Sequence, residues 1–380
     1  MPNIFESLAP ILFSAAQEVS VEDTGALQSI SLNLDDKRVA KGDLLKIPIA
    51  AGGTPVEFVP GNVTPQGDSD TASSVDVQIT ASMKRSWHLT GEERRSLENA
   101  GTDKEWIRLK VLQEMRSLRN AAESDCIDAI VKGASRAIGT AGTTPFSSSL
   151  DDLIGVRKIL KENGCPLSDA QFVCDSGAEA NLFKLSTIQQ AYAAGSDEER
   201  RKGILLPQFG FRIMASAQIS EHTKGSGANY LTNATTPMAK GATSTILSGA
   251  SGTGTIKEGD ILSFEGDQSL YVSHNEVTAA MQMLAIGQPG VRKTIPVSTP
   301  ITIGESYTPC LAFDRGAVVG IMRPPAMPDN PTMQQALISD MRGLTYLLLE
   351  IAQYGQITWE IHLAWGFKVV MSEHVVLLLG

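Results

Sequence analysis

Cysteines, aromatic residues and long hydrophobic runs are all scarce in this sequence, and each shortage excludes a class of protein. Aromatic residues make up 6%, and the 4 cysteines are Cys126, Cys165, Cys174 and Cys310, with no C-x-x-C pair. Zinc sites need closely spaced ligand pairs and disulfide scaffolds need denser cysteine, so free thiols in a reducing compartment are expected. No stretch approaches the roughly 18 apolar residues that cross a bilayer. The sequence therefore predicts no membrane segment.

The sequence also lacks the common catalytic and nucleotide-binding motifs. It has no G-x-x-x-x-G-K-[ST] phosphate loop, no H-E-x-x-H pair and no G-x-S-x-G elbow. The histidines are His88, His222, His274, His362 and His374, and no two lie within one helical turn. His362 is interpreted as a solvated surface histidine beside Glu360, the alternative being a general base. We therefore expect no enzymatic activity, no cofactor and no metal site.

The sequence also has fewer basic than acidic residues. The chain of 380 residues has 32 Lys and Arg against 42 Asp and Glu, a net charge of −10. Such a chain is a poor candidate for coating nucleic acid, which needs clustered basic residues. Its 42% hydrophobic and 19% charged residues are ordinary globular composition and exclude disorder or a coiled-coil rod. The first basic residue is Lys37 and Glu6 interrupts the first apolar stretch, so no signal peptide is expected.

The first 83 residues predict an N-terminal arm followed by a two-stranded flap. Residues 4–18 predict a short amphipathic helix. The segment to residue 40 is interpreted as an arm whose apolar residues are buried against another surface rather than within the arm. Apolar residues alternate at 45–49 and at 75–83, which predicts two strands. The Gly- and Pro-rich stretch 51–74 separates them. A lone hairpin is marginal in water, so this flap is expected to lie on another surface.

The longest predicted helix covers residues 103–132. Its apolar stripe consists of Ile107, Val111, Met115, Leu118, Ala122, Cys126 and Ala129. Its other face carries Glu105, Arg108, Lys110, Glu114, Arg116, Arg119, Glu123, Asp125 and Asp128 and is interpreted as a solvated or intersubunit face. A charge cluster between the flap and this helix is interpreted as a salt-bridged surface, the alternative being an intersubunit contact. It consists of Glu92, Glu93, Arg94 and Arg95.

The remaining pattern is mixed. Helices are predicted at 150–163 and 178–185, and strands at 171–174, 209–219, 311–322, 356–368 and 375–379. Residues 226–304 are rich in Gly, Thr and Ser, with turn signals at 258–260 and 265–267. This stretch is interpreted as a compact all-β insertion.

Several stretches resemble a known family. They are SRAIGTAGTTPF at 135–146, EHTKGSG at 221–227, AFDRGAVVGIMRPPAMP at 312–328 and YGQITWEIHLAWGFKVVMSEHVVLLLG at 354–380, with LTGEE at 89–93 before the long helix. They resemble the major capsid (coat) proteins of tailed double-stranded DNA phages, in the scaffold-assisted group typified by phage P twenty-two. The resemblance runs through nearly the whole chain in the same order, and its motifs concern packing rather than chemistry.

The resemblance implies an α+β chain with the Hong Kong ninety-seven type capsid fold. Its parts would be an N-terminal arm (1–40), an extended loop (41–88), a peripheral domain with a spine helix (89–135) and an axial domain (136–225). An inserted β-rich domain (226–304), an axial return (305–328) and peripheral strands (329–380) would follow. The lysine–asparagine crosslinking of some relatives is not implied, because no matching positions are present.

The implied function is self-assembly into the hexamers and pentamers of an icosahedral head around double-stranded DNA. The partners would be further copies of the chain, scaffolding and portal proteins, and DNA bound without sequence specificity. The protein would be made in the host cytoplasm and reside in the virion. Candidate intersubunit contacts are Ile4, Phe5, Leu8, Ile79, Met83, Glu92, Glu93, Arg94 and Arg95. Two alternatives remain: a bacterial nanocompartment shell, or an enzyme of unknown class, perhaps a hydrolase, with an appended β domain.

Overall fold

The structure, a computed structural model, shows an α+β chain with two main sheets, which confirms the expected class. It describes residues 14–15, 25–35, 37–49, 60, 73–185, 188, 207–249, 252–328, 333–340 and 342–380. Most of the predicted arm helix at 4–18 lies outside these residues. Ser14 and Ala15 are helical, and Ala15 is buried.

The described helices are α1 (Gly25–Ser29), α2 (Gly91–Ala100), α3 (Asp103–Gly133), α4 (Asp151–Glu162) and α5 (Ser176–Lys184). Helix α2 begins at a capping box, in which the Thr90 hydroxyl accepts from the Glu93 amide and the Glu93 carboxylate accepts from the Thr90 amide. It ends at Gly101, whose φ of 69° is the left-handed conformation that favours glycine. Helix α3 is the expected spine helix, one residue longer than predicted.

The strands of the first half are β1 (Ser31–Leu34), β2 (Leu44–Ile49), β3 (Ser73–Gln78), β4 (Ala81–Thr90), β5 (Arg136–Gly139), β6 (Ala170–Cys174), β7 (Phe211–Ala215) and β8 (Ser244–Ile246). Those of the second half are β9 (Ile261–Phe264), β10 (Leu270–Val272), β11 (Met283–Ala285), β12 (Ile301–Ile303), β13 (Pro309–Asp314), β14 (Val318–Arg323), β15 (Met333–Ser339), β16 (Thr345–Gln353), β17 (Gln356–Val369) and β18 (Val375–Leu379).

These strands form two main sheets. A six-stranded sheet has the order β1-β14-β17-β16-β15, with β4 also paired to β17. An eight-stranded sheet has the order β12-β9-β10-β5-β18-β13-β6-β7. Strands β2 and β3 form a separate antiparallel hairpin, in which Leu45 pairs with Val77 and Ile47 with Val75. Strands β8 and β11 form a second small sheet.

The spine helix covers the six-stranded sheet and builds the largest core. Its stripe from Ile107 to Cys126 packs with alternate residues of β17, among them Trp359 and Trp365. The Trp365 indole Nε1 donates to the Asp125 carboxylate at 2.7 Å, which pins the helix to the strand. Strand β17 buries the face that the sequence alternation predicted, because side chains two residues apart share one side of a sheet.

Two predicted strands are broken in the structure. The strand at 75–83 is divided into β3 and β4, because two consecutive amides have different partners. The Ile79 amide donates to the Asp43 carbonyl, and the Thr80 amide donates to the Trp365 carbonyl. The strand at 311–322 becomes β13 in the eight-stranded sheet and β14 in the six-stranded one. Alternation of side chains cannot show where a chain changes its hydrogen-bonding partner. The helices at 150–163 and 178–185 and the strand at 171–174 are confirmed within two residues at each end.

The all-β stretch 226–304 has a core of its own and is also joined to its host. Tyr230, Phe264, Tyr271 and other apolar side chains of this stretch form a separate buried cluster. Strand β10 nevertheless pairs with β5 through Tyr271 and Arg136, so that β9, β10 and β12 extend the eight-stranded sheet. Strand pairing crosses other predicted boundaries too, since β14 pairs with β17 and β18 lies between β5 and β13. The domain boundaries therefore stay predictions.

Candidate assembly surface

The hairpin of β2 and β3 packs on the six-stranded sheet at its base. Val77 is fully buried and Ile79 is 2% exposed, in one cluster with Ile321 and Ala364. Ile79 was expected to contact a neighbouring subunit. Its burial is completed inside its own chain, which speaks against that contact, and the contact itself stays a prediction.

Further along the same hairpin the apolar face is left incomplete. Leu45, Ile47 and Val75 lie on the side of Val77, but all three are only partly buried. On the opposite side Lys46 and Ser74 are exposed. The described part of the hairpin therefore presents aliphatic surface that one subunit does not cover.

The other candidate contacts are divided between exposed and undescribed positions. Met83 in β4 is 45% exposed and is open to a partner. Ile4, Phe5 and Leu8 lie outside the described residues. The structure does not bring the candidates into one patch, since Ile79 is in the core and the charged group lies on α2.

The charged group on α2 is largely exposed. Glu92, Glu93 and Arg95 are exposed, Arg94 is half-buried, and no residue of the helix is buried. Arg94 pairs with Glu98 one turn later at 3.0 Å. Hydrogen bonds from the Thr90 backbone and hydroxyl lower the pKa of Glu93. Both interpretations of this group, a salt-bridged surface and an intersubunit contact, remain predictions.

A cluster of charged side chains links β4 to β17. The Glu360 carboxylate lies 2.7 Å from Lys84 Nζ and 2.9 Å from His362 Nε2. His362 is 5% exposed, so the interpretation of a solvated surface histidine is wrong. Burial lowers the pKa of His362, which outweighs the opposing effect of Glu360. The alternation predicted a polar face here correctly, but on that face His362 is buried, with Glu360 beside it and Lys84 on the paired strand β4.

A second charge cluster joins β4 to the spine helix. Glu114 lies 2.7 Å from both Arg85 and Lys110, and Glu114 itself is 4% exposed. Burial would raise the pKa of Glu114, but the hydrogen bonds from Lys110 and Arg85 outweigh it and hold the pKa below its usual value. The cluster fixes β4, the strand that follows the hairpin. Its Lys110–Glu114 half could have been predicted from the four-residue spacing.

The opposite end of the spine helix anchors the end of the arm. The Glu123 carboxylate is fully buried and accepts hydrogen bonds from the amides of Ala26 and Leu27 at 2.7 and 2.8 Å and from the Ser216 hydroxyl at 2.9 Å. Burial raises the pKa of Glu123 against the effect of these donors. Arg119, also buried, lies 3.8 Å from Asp340.

The charged face of the spine helix is thus not uniformly solvated. Glu114, Arg119 and Glu123 were expected on a solvated or intersubunit face and are buried within the chain. Their partners are on β4, on the turn before β16 and on α1. Sequence reasoning missed them because helix periodicity reports the apolar stripe and cannot show which charges meet distant parts of the chain.

A buried aspartate fastens the stretch 221–227 to the inserted β region. Asp260 is 1% exposed and accepts from the amides of Gly225 and Lys257 at 3.0 and 2.8 Å, with His222 Nε2 at 3.0 Å. The Tyr307 hydroxyl donates to the Gly259 carbonyl at 2.7 Å beside it. These contacts make a structural joint, because the amides satisfy a carboxylate that burial would otherwise destabilise.

The described residues contain no metal-ligating cluster and no exposed cysteine. No group of three or more His, Cys, Asp or Glu side chains within them is arranged to hold a metal ion. Cys126, Cys165, Cys174 and Cys310 are buried free thiols, and burial raises the pKa of each. Buried thiols of this kind are inert. Among the described helices none is long and apolar enough to cross a membrane.

Three solved structures illustrate what the chain is similar to. The capsid of cyanophage P-SCSP1u is 10% identical, with a TM-score of 0.48 over 95% of this chain and 89% of that one. The mature capsid of bacteriophage PhiM1 is 10% identical, with a TM-score of 0.47 over 95% and 88%. The SrpI encapsulin of Synechococcus elongatus is 10% identical, with a TM-score of 0.41 over 95% and 89%.

Sequence comparison finds no match: no family model and no curated protein matches the chain. The chain itself has an α+β fold with a 31-residue helix, a two-stranded hairpin and two main sheets.

Proposed function

We propose that the chain is a major capsid protein that self-assembles into the hexamers and pentamers of an icosahedral head enclosing double-stranded DNA. The observation that supports this proposal is the incomplete burial of the apolar face of the β2–β3 hairpin. Its apolar face is buried at Val77 but only partly covered at Ile47 and Val75, so a second subunit is needed to remove it from water.

The ion clusters around β4 support the same function. A hairpin that reaches a neighbour must be held firmly at its base, and β4 is fastened to β17 and to the spine helix through Glu360 and Glu114. Met83 and the charged residues 92–95 of α2 are proposed as further contacts. Ile4, Phe5 and Leu8 of the arm are proposed contacts as well.

The proposed partners are further copies of the chain, scaffolding and portal proteins, and packaged DNA without sequence-specific contacts. The proposed location is the virion after synthesis in the host cytoplasm. A net charge of −10 suits an inner wall that does not hold DNA tightly. The proposed parts are those implied by the resemblance, with residues 226–304 as the inserted domain.

Electron microscopy of the purified full-length protein tests the function, with and without its scaffolding protein. The proposal expects closed icosahedral shells. Particles that enclose a protein cargo instead of DNA in the producing cell would identify a nanocompartment. A monodisperse monomer under both conditions, at concentrations up to the micromolar range, would contradict self-assembly.

A further inference from the structure

Two strands of the six-stranded sheet, β4 and β15, each have a side that no other described strand covers. Among the described strands, β4 pairs only with β17 and β15 only with β16. The uncovered side of an edge strand has a row of unpaired amides and carbonyls, to which a further strand can bind. Both strands are long enough for such pairing, with ten residues in β4 and seven in β15.

The hydrogen bonds of β4 show which of its residues face the open side. The Gly91 amide donates to the Gly355 carbonyl at 3.1 Å, one position beyond the pair of Thr90 and Gln356. Because hydrogen-bonded pairs alternate along an antiparallel ladder, the odd-numbered residues of β4 bond to β17. The backbone groups of its even-numbered residues therefore point outwards. They belong to Ser82, Lys84, Ser86 and His88.

The open side of β15 is defined in the same way. The Asp340 amide donates to the Leu344 carbonyl at 2.9 Å, next to the pair of Ser339 and Thr345. The even-numbered residues of β15 therefore bond to β16, and the odd-numbered residues direct their backbone groups outwards. These outward residues are Met333, Gln335, Leu337 and Ser339.

The outward residues of both strands lie on the same side of the sheet. On β4 the buried Trp87 and Leu89 belong to the core that includes the spine helix, so the even-numbered residues lie on the opposite side. On β15 the buried Ile338 belongs to that core, so the odd-numbered residues also lie on the opposite side. Two residues of a hydrogen-bonded antiparallel pair share one side of a sheet. Joining the two edges therefore leaves the spine helices of both copies on one side, as copies in one shell wall require.

The directions of the strands fit as well. Each neighbouring pair in the series β4-β17-β16-β15 is antiparallel, so β4 and β15 of one chain run in opposite directions. A second copy in the same orientation therefore places its β15 antiparallel to β4 of the first. Because each copy has one edge of each kind, the contact can be repeated from copy to copy.

Charge favours β15 as the partner of β4 over a second β4. Two β4 edges would bring together strands that both carry Lys84 and Arg85, and like charges facing each other across a ladder are destabilising. Both side chains already have acidic partners within their own chain, at 2.7 Å. Residues 333–339 of β15 read MQQALIS and have no charge. Pairing of two β15 strands would leave both β4 edges uncovered.

We propose that the open edge of β4 binds the open edge of β15 from a second copy of the chain, antiparallel, so that one sheet continues across the subunit boundary. The inference rests on the proposed function, because it names a contact through which copies in a shell are joined. Main-chain hydrogen bonds supply the affinity in this mode of binding. The contact therefore depends on the outward amides more than on particular side chains.

Cysteine crosslinking in assembled shells tests the contact. Full overlap of the two edges places Ser86 opposite Gln335, with Met333 and Leu337 one step to either side. Ser86→Cys is therefore combined in turn with a cysteine at each of these three positions, and oxidised glutathione is added. Hydrogen-bonded residues lie about 5.5 Å apart between Cα atoms, within reach of a disulfide, whereas β4 and β15 of one chain are three strand spacings or about 14 Å apart.

The expected result is crosslinked products larger than a dimer from at least one combination. Each single-cysteine variant should give none, and the native cysteines are buried. Products larger than a dimer require that every copy offers both edges, which distinguishes this contact from one between equal edges.

Proline on the open side gives a test that needs no crosslink. Because the Ser86 amide points outwards, Ser86→Pro removes no hydrogen bond within the subunit, and proline is tolerated at such edge positions. The variant should melt like wild type but reduce the yield of shells roughly tenfold, since every copy loses a hydrogen bond at the contact. Ser86→Ala keeps the amide and should assemble within about twofold of wild type.

The outcomes separate this contact from the proposed function. Shells that form normally but give no crosslink in any of the three combinations would overturn the contact and leave the proposed function intact. Wild-type yield from Ser86→Pro, or dimers from a single-cysteine variant, would also overturn it. A wild-type protein that forms no shells would contradict the proposed function, and the contact with it.

Discussion

The spine helix and the β2–β3 hairpin differ in how far one subunit buries their apolar residues. The helix stripe from Ile107 to Cys126 is buried within the subunit, and even Glu114 and Glu123 on its charged side find partners there. Among the described residues of the hairpin Val77 is buried, whereas the next pair along it, Ile47 and Val75, is only partly buried. Residues of the helix stripe therefore stabilise the subunit itself, whereas residues of the hairpin face are expected to contact a second subunit.

The largest expected effect on the folded subunit is at the centre of the helix stripe. Leu118 is 2% exposed, so Leu118→Ala should reduce the free energy of unfolding by roughly 2 to 5 kcal/mol through lost contacts and a residual cavity. Leu109, on the same helix but 52% exposed, provides the control, since Leu109→Ala should change it by less than about 0.5 kcal/mol. Chemical denaturation of both variants measures this. Equal losses would show that the helix is not divided into buried and open faces.

Ile79→Ala sharpens the comparison at the point where the hairpin joins the sheet. Ile79 is buried with Ile321 and Ala364, so its truncation should also destabilise the subunit, by about 2 kcal/mol at the lower end of the range for such changes. Ile47→Ala, farther along the hairpin, should leave the melting temperature of the subunit nearly unchanged. If Ile79→Ala spared the subunit and reduced only assembly, the original expectation of an intersubunit Ile79 would be right after all.

The smallest of the stability effects is a pH dependence at His362. Because burial lowers its pKa in the folded state, the unfolded chain takes up the proton more readily. The unfolding free energy should therefore fall as the pH drops below about 6.5, the pKa of an unperturbed histidine. His362→Gln should flatten this part of the curve, measured by denaturation between pH 7.5 and pH 5 in steps of about half a unit.

Local patterns in the sequence predicted the elements well. The spacing of apolar residues located the spine helix, and alternation located β17 from Gln356 to Val369 within one residue. Such patterns record which side of an element faces the core. They therefore also placed the hairpin strands, where Leu45, Ile47, Val75 and Val77 share one face.

The same patterns could not show which distant groups meet. Glu123 binds the amides of α1 about 97 residues away, and Asp260 binds Gly225 and His222 across 35 and 38 residues. Nothing in the neighbourhood of these carboxylates marks them as buried. The burial of His362 was missed for a related reason, since alternation along one strand cannot show that Lys84 of the paired strand β4 joins Glu360 and His362 in a charge cluster.

The most direct test of the account is the sedimentation of Val75→Asp under conditions of assembly, with Ser74→Asp as the matched control. Both changes place one carboxylate on β3, but Val75 lies on the half-covered apolar face and Ser74 on the exposed one. The account predicts that Val75→Asp melts like wild type and sediments as free subunits, whereas Ser74→Asp forms shells. Closed shells at wild-type yield from both variants would contradict the claim that a neighbouring subunit completes the burial of the hairpin.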